Sequence, residues 1–330
     1  MNVLVTGAGG GVGQSIIKAL RGTEYKTVGV DPDPQAMGLY YADVGRIGKK
    51  CDSIGYIKSL IKICKEEDCK LLFPGLDAEL LAIAKGQNEL MAESISPIIS
   101  DQMLISISDD KFALQEFIKG LNYPYIKSAR TVEEIEKVGI KYPLISKPRS
   151  GGCRSKGICI INNITEAQFA AKMHGDNILF QELIDGPEYT CGTVTFNSDV
   201  KGCILMRREL RNGDTYKAYV ERNEELEGYI KMLAGELSPF GPCNIQLRMR
   251  GGLPYVFEIN ARCSGTTAAR ALAGFNEPKM ICDYITGKKV NYKIKEVSIL
   301  RYWNEMVVKN NKVKELVDEG RINRRKWFVW

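Results

Sequence analysis

Histidine is almost missing from this chain: His174 is the only one in 330 residues. Nucleophilic triads and dyads that borrow an imidazole base are excluded unless His174 supplies it. Its setting, Met173-His174-Gly175-Asp176-Asn177, reads as a surface loop. The cysteines (Cys51, Cys64, Cys69, Cys153, Cys159, Cys191, Cys203, Cys243, Cys263 and Cys282) include no Cys-x-x-Cys pair, so zinc-ligand spacing is lacking too. No apolar run approaches the ~20 residues a helix needs to cross a bilayer, and no charged n-region and apolar h-region precede the first strand. We expect a cytoplasmic protein with reduced thiols and no membrane partner.

Strong charge of one sign is also lacking. Forty-six Lys and Arg against 40 Asp and Glu give +6, and the two signs are interspersed. A solvated surface with an anionic small-molecule site accounts for that balance, so no nucleic-acid partner is expected. What is present is an ordinary globular composition, 44% hydrophobic and 26% charged, long enough for two or three domains.

Residues 1–100 alternate strand and helix patterns, which implies a parallel sheet covered by helices. Asn2 to Thr6 is a short apolar strand, Gly7 to Gly13 a glycine-rich turn, Gln14 to Leu20 a helix and Thr27 to Asp31 a second strand. Asp31 closes that strand where a dinucleotide-binding domain keeps its acidic residue, so an NAD(P)-dependent oxidoreductase is a rival reading. From Ser108 the pattern changes. Ser108-Asp109-Asp110-Lys111 reads as a helix start, Thr131 to Val138 as a capped helix, Tyr142 to Pro148 as a strand, and the rest to about 290 as β-rich. The terminal Lys326-Trp327-Phe328-Val329-Trp330 is expected to dock on the body or on a partner.

Three segments carry chemistry. The stretch from Lys147 to Gly157 leaves a strand for a basic, glycine-rich loop whose backbone N–H groups suit phosphate oxygens. Ile178 to Cys191 is a strand, a short acidic linker and a second strand beginning at Glu188. The linker's backbone can read an adenine edge, with Glu188 meeting ribose hydroxyls. Cys243 to Arg248 and Tyr255 to Thr266 alternate around Gly251-Gly252 as a hairpin. Alternation puts Glu258, Asn260 and Arg262 on one face and Phe257, Ile259 and Ala261 on the other. Hard oxygen ligands beside a cation suit Mg²⁺ meeting a polyphosphate. Upstream, residues 206–219 carry cations, of which Arg207 and Lys217 are the candidates for a γ-phosphate or a substrate carboxylate.

In this order the residues resemble the ATP-grasp superfamily, in particular its carboxylate–amine ligases and the carbamoyl phosphate synthetase large subunit. The resemblance implies a Rossmann-like parallel-sheet domain (1–105), a lid subdomain (106–190) and a catalytic subdomain with a C-terminal extension (191–330), an α/β and α+β chain. It implies ATP binding by Lys111, Lys147, Gly151, Gly152, Ser155, Gln181, Glu182, Leu183, Ile184 and Glu188. Gln246, Glu258 and Asn260 would hold Mg²⁺, with Mn²⁺ as the alternative ion, and Arg262, Lys217 and Arg207 would act in catalysis. The implied reaction phosphorylates a small-molecule carboxylate, giving an acyl phosphate for attack by an amine, with a homodimer as the assembly. Asn244-Ile245-Gln246 is similar to the carbamoyl phosphate synthetase halves, whereas Asn260-Ala261-Arg262-Cys263-Ser264-Gly265 lacks their proline and second arginine. Bicarbonate or carbamate is therefore the second choice of substrate, and a non-catalytic nucleotide-binding regulator is a further rival.

Overall fold

The computed structural model describes residues 1–151, 157–302 and 304–324. Its first sheet runs, edge to edge, Arg321–Asn323, Val44–Ile47, Lys26–Asp31, Asn2–Val5, Cys69–Phe73 and Ser96–Pro97. All neighbours are parallel except Arg321–Asn323, which is antiparallel to Val44–Ile47. The chain's last described strand thus returns to its first domain, where Arg321 pairs with Glu67 at 2.7 Å and Ile322 is buried. The C-terminal extension expected within residues 191–330 thus supplies an edge strand to the first sheet.

The second sheet is antiparallel, in the order Leu253–Asn260, Gly241–Arg250, Glu188–Phe196, Asp199–Arg211, Asp214–Val220, Ser298–Leu300. One face is apolar along its length. There Cys191, Leu205, Ile245 and Val256 pack on Leu104, Leu114 and Ile118, and on Leu226, Ile230 and Leu233 of the helix Glu224–Leu237. The other face changes character along its strands. Val194, Phe196, Ile204 and Met206 share a core with Val3, Ile16 and Ile17 of the first domain and with the helix Glu277–Ile285. Beyond Met206 the same face turns polar, and that is where the candidate site lies.

A third, small sheet is ordered Ser128–Ala129, Ile178–Glu182, Leu144–Pro148, Cys159–Ile161. With the helices Val132–Lys137 and Ile164–His174 it closes its own core of Ile135, Leu144, Ala167 and Phe180. The expected lid limits are therefore too wide. The helices Gln102–Asp109 and Lys111–Gly120 contribute to the core beneath the second sheet, and Glu188–Phe196 is a strand of that sheet. His174, expected in a loop, is the last residue of a helix.

Candidate active site

The hairpin Gly241–Arg250/Leu253–Asn260 turns at Gly251-Gly252, whose φ values of +59° and +80° fit the two-residue turns that match strand twist. Register pairs Asn244 with Asn260 and Gln246 with Glu258, and then slips by one residue. The slip is a β-bulge that leaves Phe257 without a cross-strand partner. Simple alternation fails there: Val256 and Ile259 enter the core, while Phe257 is only half-buried and lies 5.8 Å beneath the Lys147 ammonium.

Gln246, Glu258 and Asn260 meet on the polar face. Asn260 Nδ2 donates to Glu258 Oε1 at 3.1 Å, and Gln246 Nε2 approaches Asn260 Oδ1 at 3.4 Å. Arg262 does not continue this row. The strand ends at Asn260, and the Arg262 guanidinium turns to Asp77 of the first domain (Nε to Oδ1 2.7 Å) and to the Cys263 carbonyl at 2.7 Å. It is a buried cation clamped between domains.

Arg207 and Lys217 are misplaced in the sequence-based expectation. Arg207 is paired with Tyr189 and Tyr219, and Lys217 with Glu209, all on the sheet face opposite Gln246 and Glu258. Arg207 is held by Glu221 at 2.7 Å and Lys217 sits 3.5 Å from Glu209. The next arginine along, Arg208, faces the site: it reaches Gln246 Oε1 at 2.6 Å and Glu188 at 2.7 Å. The register that sets Glu188 opposite Arg208 across neighbouring strands decides between the two arginines.

Glu188 spends one oxygen on Arg208 and the other on Arg248 at 2.8 Å. It fixes two guanidinium groups, and a contact with ribose hydroxyls, expected from the sequence, would be made in addition to these. Upstream in the linker, Gln181 is buried and donates to Ser128 Oγ at 2.8 Å, Glu182 accepts from Arg250 at 2.8 Å, Ile184 is buried and Leu183 half-buried. Gly186, at φ +105°, passes so close to the Met249 carbonyl that a Cβ would lie 2.0 Å from it. The linker is therefore pinned to the hairpin.

Lys147 comes in from the small sheet, on the strand Leu144–Pro148, and is only 6% exposed. Burial, reinforced by the Lys111 charge and opposed by Glu258, pulls its ammonium down to about 8. Lys111 opens the helix capped by Asp110, whose carboxylate accepts from Phe112 N at 2.9 Å and from Arg149 Nε at 2.9 Å. The Lys111 backbone N–H donates to the Arg149 carbonyl at 3.1 Å, tying the helix start to the basic loop. Among the described residues neither Lys111 nor Lys147 has a carboxylate within ion-pair distance. Gly151 N–H is 3.3 Å from Asp109 Oδ1. Gly152 and Ser155 lie outside the described residues, as do Trp303 and the aromatic terminus.

The N-terminal glycine-rich turn is built differently. Gly9 N–H donates to Asp31 Oδ2 at 2.8 Å and Gly10 N–H to the Gly7 carbonyl at 2.9 Å. Leu76 lies over the turn, its Cγ 2.7 Å from where a Gly7 Cβ would be.

Residues 3–98 match the family model described as "PylC-like, N-terminal domain", and residues 174–306 the one described as "ATP-grasp in the biosynthetic pathway with Ter operon". The chain carries an ATP-grasp domain. The carbamoyl phosphate synthase large chain of Caldanaerobacter subterraneus subsp. tengcongensis is 23% identical over 295 residues, 82% of this chain and 27% of that one. This chain thus spans about a quarter of the length of such relatives. The N5-carboxyaminoimidazole synthetase of Staphylococcus aureus, solved with ADP, superposes at TM-score 0.72 with 18% identity over 99% of this chain and 91% of its own. The biotin carboxylase domain of the Hydrogenobacter thermophilus 2-oxoglutarate carboxylase, solved with MgADP, ADP and bicarbonate, gives 0.67 at 18% identity, over 89% and 72%. The ATP-grasp fold, a parallel-sheet domain followed by two further sheets, is thereby shared with these enzymes.

Among the described residues no cluster of three or more His, Cys, Asp and Glu is gathered to hold a metal unaided. The Glu258 carboxylate, beside amide oxygens of Gln246 and Asn260 that already accept from Arg208 and Asn244, suits an ion that arrives with most of its ligands as phosphate oxygens and waters, as Mg²⁺ commonly does.

Proposed function

We propose that this ATP-grasp protein is an ATP-dependent ligase that phosphorylates a small-molecule carboxylate, releasing ADP, and delivers the acyl phosphate to an amine. The observation that carries this reading is the buried Lys147, seated over Phe257 next to Glu258 of the acid–amide cluster and within electrostatic reach of Lys111, with no carboxylate among the described residues in ion-pair distance of either lysine. A buried and a half-buried cation beside hard oxygen ligands form a receptacle for a polyphosphate and its divalent ion.

In this reading the residues act mainly by position and charge. Lys111 and Lys147 neutralise phosphate oxygens across the cleft between the small sheet and the hairpin. The pinned linker at Glu182 to Ile184 offers backbone groups to the adenine. Gln246, Glu258 and Asn260 would hold Mg²⁺, which supplies charge neutralisation at the transferring phosphoryl group, and Mn²⁺ should substitute for it. Arg208, steadied by Glu188, lies next to the ligands and takes the place first assigned to Arg207 and Lys217. Arg262, fixed by Asp77, presents positive charge where the first domain meets the site, the side from which an acceptor would enter.

Activation of bicarbonate or carbamate is the second reading, favoured by the similarity to carbamoyl phosphate synthase large chains. The two separate on one assay: Mg²⁺-dependent ADP release driven by a pool of organic carboxylates and amines supports the ligase, whereas release driven by bicarbonate alone supports the second. Absence of release with either, with no nucleotide binding, would overturn both. A second copy of the chain is the assembly partner we propose, and a cytoplasmic location fits these substrates; sedimentation equilibrium tests the first.

A further inference from the structure

Beneath the ligand cluster runs a buried polar chain to which the proposed chemistry assigns no part. Arg270, Glu277, Thr190, Asn244 and Thr267 are each at most 1% exposed. Arg270 Nη1 donates to Glu277 Oε1 at 2.7 Å, and Thr267 Oγ1 donates to Glu277 Oε2 at 2.7 Å. Arg270 Nη2 donates to Thr190 Oγ1 at 3.1 Å and closely to Asn244 Oδ1, which also accepts from Thr190 Oγ1 at 2.8 Å. From the far side of the same amide, Asn244 Nδ2 donates to Asn260 Oδ1 at 3.0 Å.

The chemistry of these donors fixes a direction. A guanidinium has donors and no acceptor, so the Asn244 atom that meets Arg270 has to be the oxygen. The amide nitrogen of Asn244 then has to face Asn260, and the Asn260 atom that receives it has to be oxygen in turn. That leaves Asn260 Nδ2 toward Glu258, as observed at 3.1 Å. An arginine cannot lose its proton at any ordinary pH, so the sense of this relay is permanent. Space has been made for it. A Cβ at Gly192, in mid-strand, would lie 2.5 Å from both Arg270 Nη1 and Glu277 Oε1. Arg270 Nε has no partner among the described residues, a cost accepted in placing the two nitrogens that do.

We propose that Arg270, braced by Glu277, is a positioning residue that acts through Asn244 to fix the Asn260 amide with its nitrogen toward Glu258, and so to orient the carboxylate that would meet the divalent ion. The proposal rests on the nucleotide reading above. Outer partners of this kind typically change metal affinity by about 10–100-fold when removed.

The test titrates Mg²⁺ against ADP binding by calorimetry in three variants: Arg270→Met with Glu277→Gln, Asn244→Leu, and all three changes together. Removing both members of the buried pair avoids an unpaired charge, and Asn244→Leu leaves that pair and its contact with Thr190 in place. The expected result is a rise of about tenfold in the Mg²⁺ concentration at half-effect in each. ADP affinity without Mg²⁺ should stay within twofold of wild type, and the triple variant should be no worse than either parent, because all act through one amide. A midpoint within twofold of wild type in Asn244→Leu, or effects that simply add in the triple variant, would overturn the proposal. Asn244→Leu alone decides if the double variant does not fold. A wild type whose ADP affinity ignores Mg²⁺ overturns the nucleotide reading itself.

Discussion

Two places in this molecule advertise phosphate chemistry, and they differ in whether their polar groups are already spent. At the N-terminal turn the Gly9 and Gly10 N–H groups are donated to Asp31 and Gly7, and Leu76 lies across the glycines. At the hairpin, Lys147 is buried over Phe257 with Lys111 and Glu258 in electrostatic reach, and among the described residues neither lysine has a carboxylate within ion-pair distance. A glycine pattern specifies a backbone path. Only the bonding around it decides whether that path serves a ligand or a loop.

The largest expected effect breaks the hairpin side of this contrast. Glu258→Ala removes the carboxylate from the cluster and should lower ADP release by about two orders of magnitude or more, with the thermal midpoint little changed; turnover and a melting curve check both. Next comes Lys147. Its depressed ammonium is charged below pH 8 and neutral above, so apparent ADP affinity should fall as pH rises through about 8. Nucleotide binding near that pH should take up a proton, because an added anion favours the charged form. Calorimetry in buffers of different ionisation enthalpy measures the uptake, and Lys147→Met should abolish it.

A third prediction sharpens the contrast between two adjacent arginines on opposite faces. Arg208→Met should reduce turnover by about tenfold or more, while Arg207→Met should leave it within about threefold, measured as kcat/KM for ADP release. The smallest effect belongs to the turn. Asp31→Ala frees the Gly9 and Asp33 N–H groups that it accepts, at a cost of about 1–2 kcal/mol in unfolding free energy, with Mg·ADP affinity unchanged. Denaturant unfolding and calorimetry separate the two.

Local order was legible in the sequence wherever one segment decides it. The helix start at Asp110, the cap at Thr131, the linker before Glu188 and the turn at Gly251-Gly252 all follow from residue types at short spacing. What was not legible depends on pairing between distant strands. Arg207 and Arg208 are indistinguishable until the register with Glu188 is known. Alternation alone could not reveal the bulge at Phe257. Arg262 leaves the row because Asp77, 185 positions away, holds it. The buried Arg270 looks like a surface helix residue in the chain and is found only through Glu277 and Asn244. The return of Arg321–Asn323 to the first sheet is likewise a long-range event, made by a strand of three residues.

One calorimetric comparison weighs the two regions against each other: Mg·ADP and NADH titrated into wild type and Glu258→Ala. Tight, Mg²⁺-dependent ADP binding that the substitution weakens at least tenfold, with no NADH binding, is the predicted result. NADH binding with indifference to ADP and to Glu258 would contradict it and return function to the N-terminal turn.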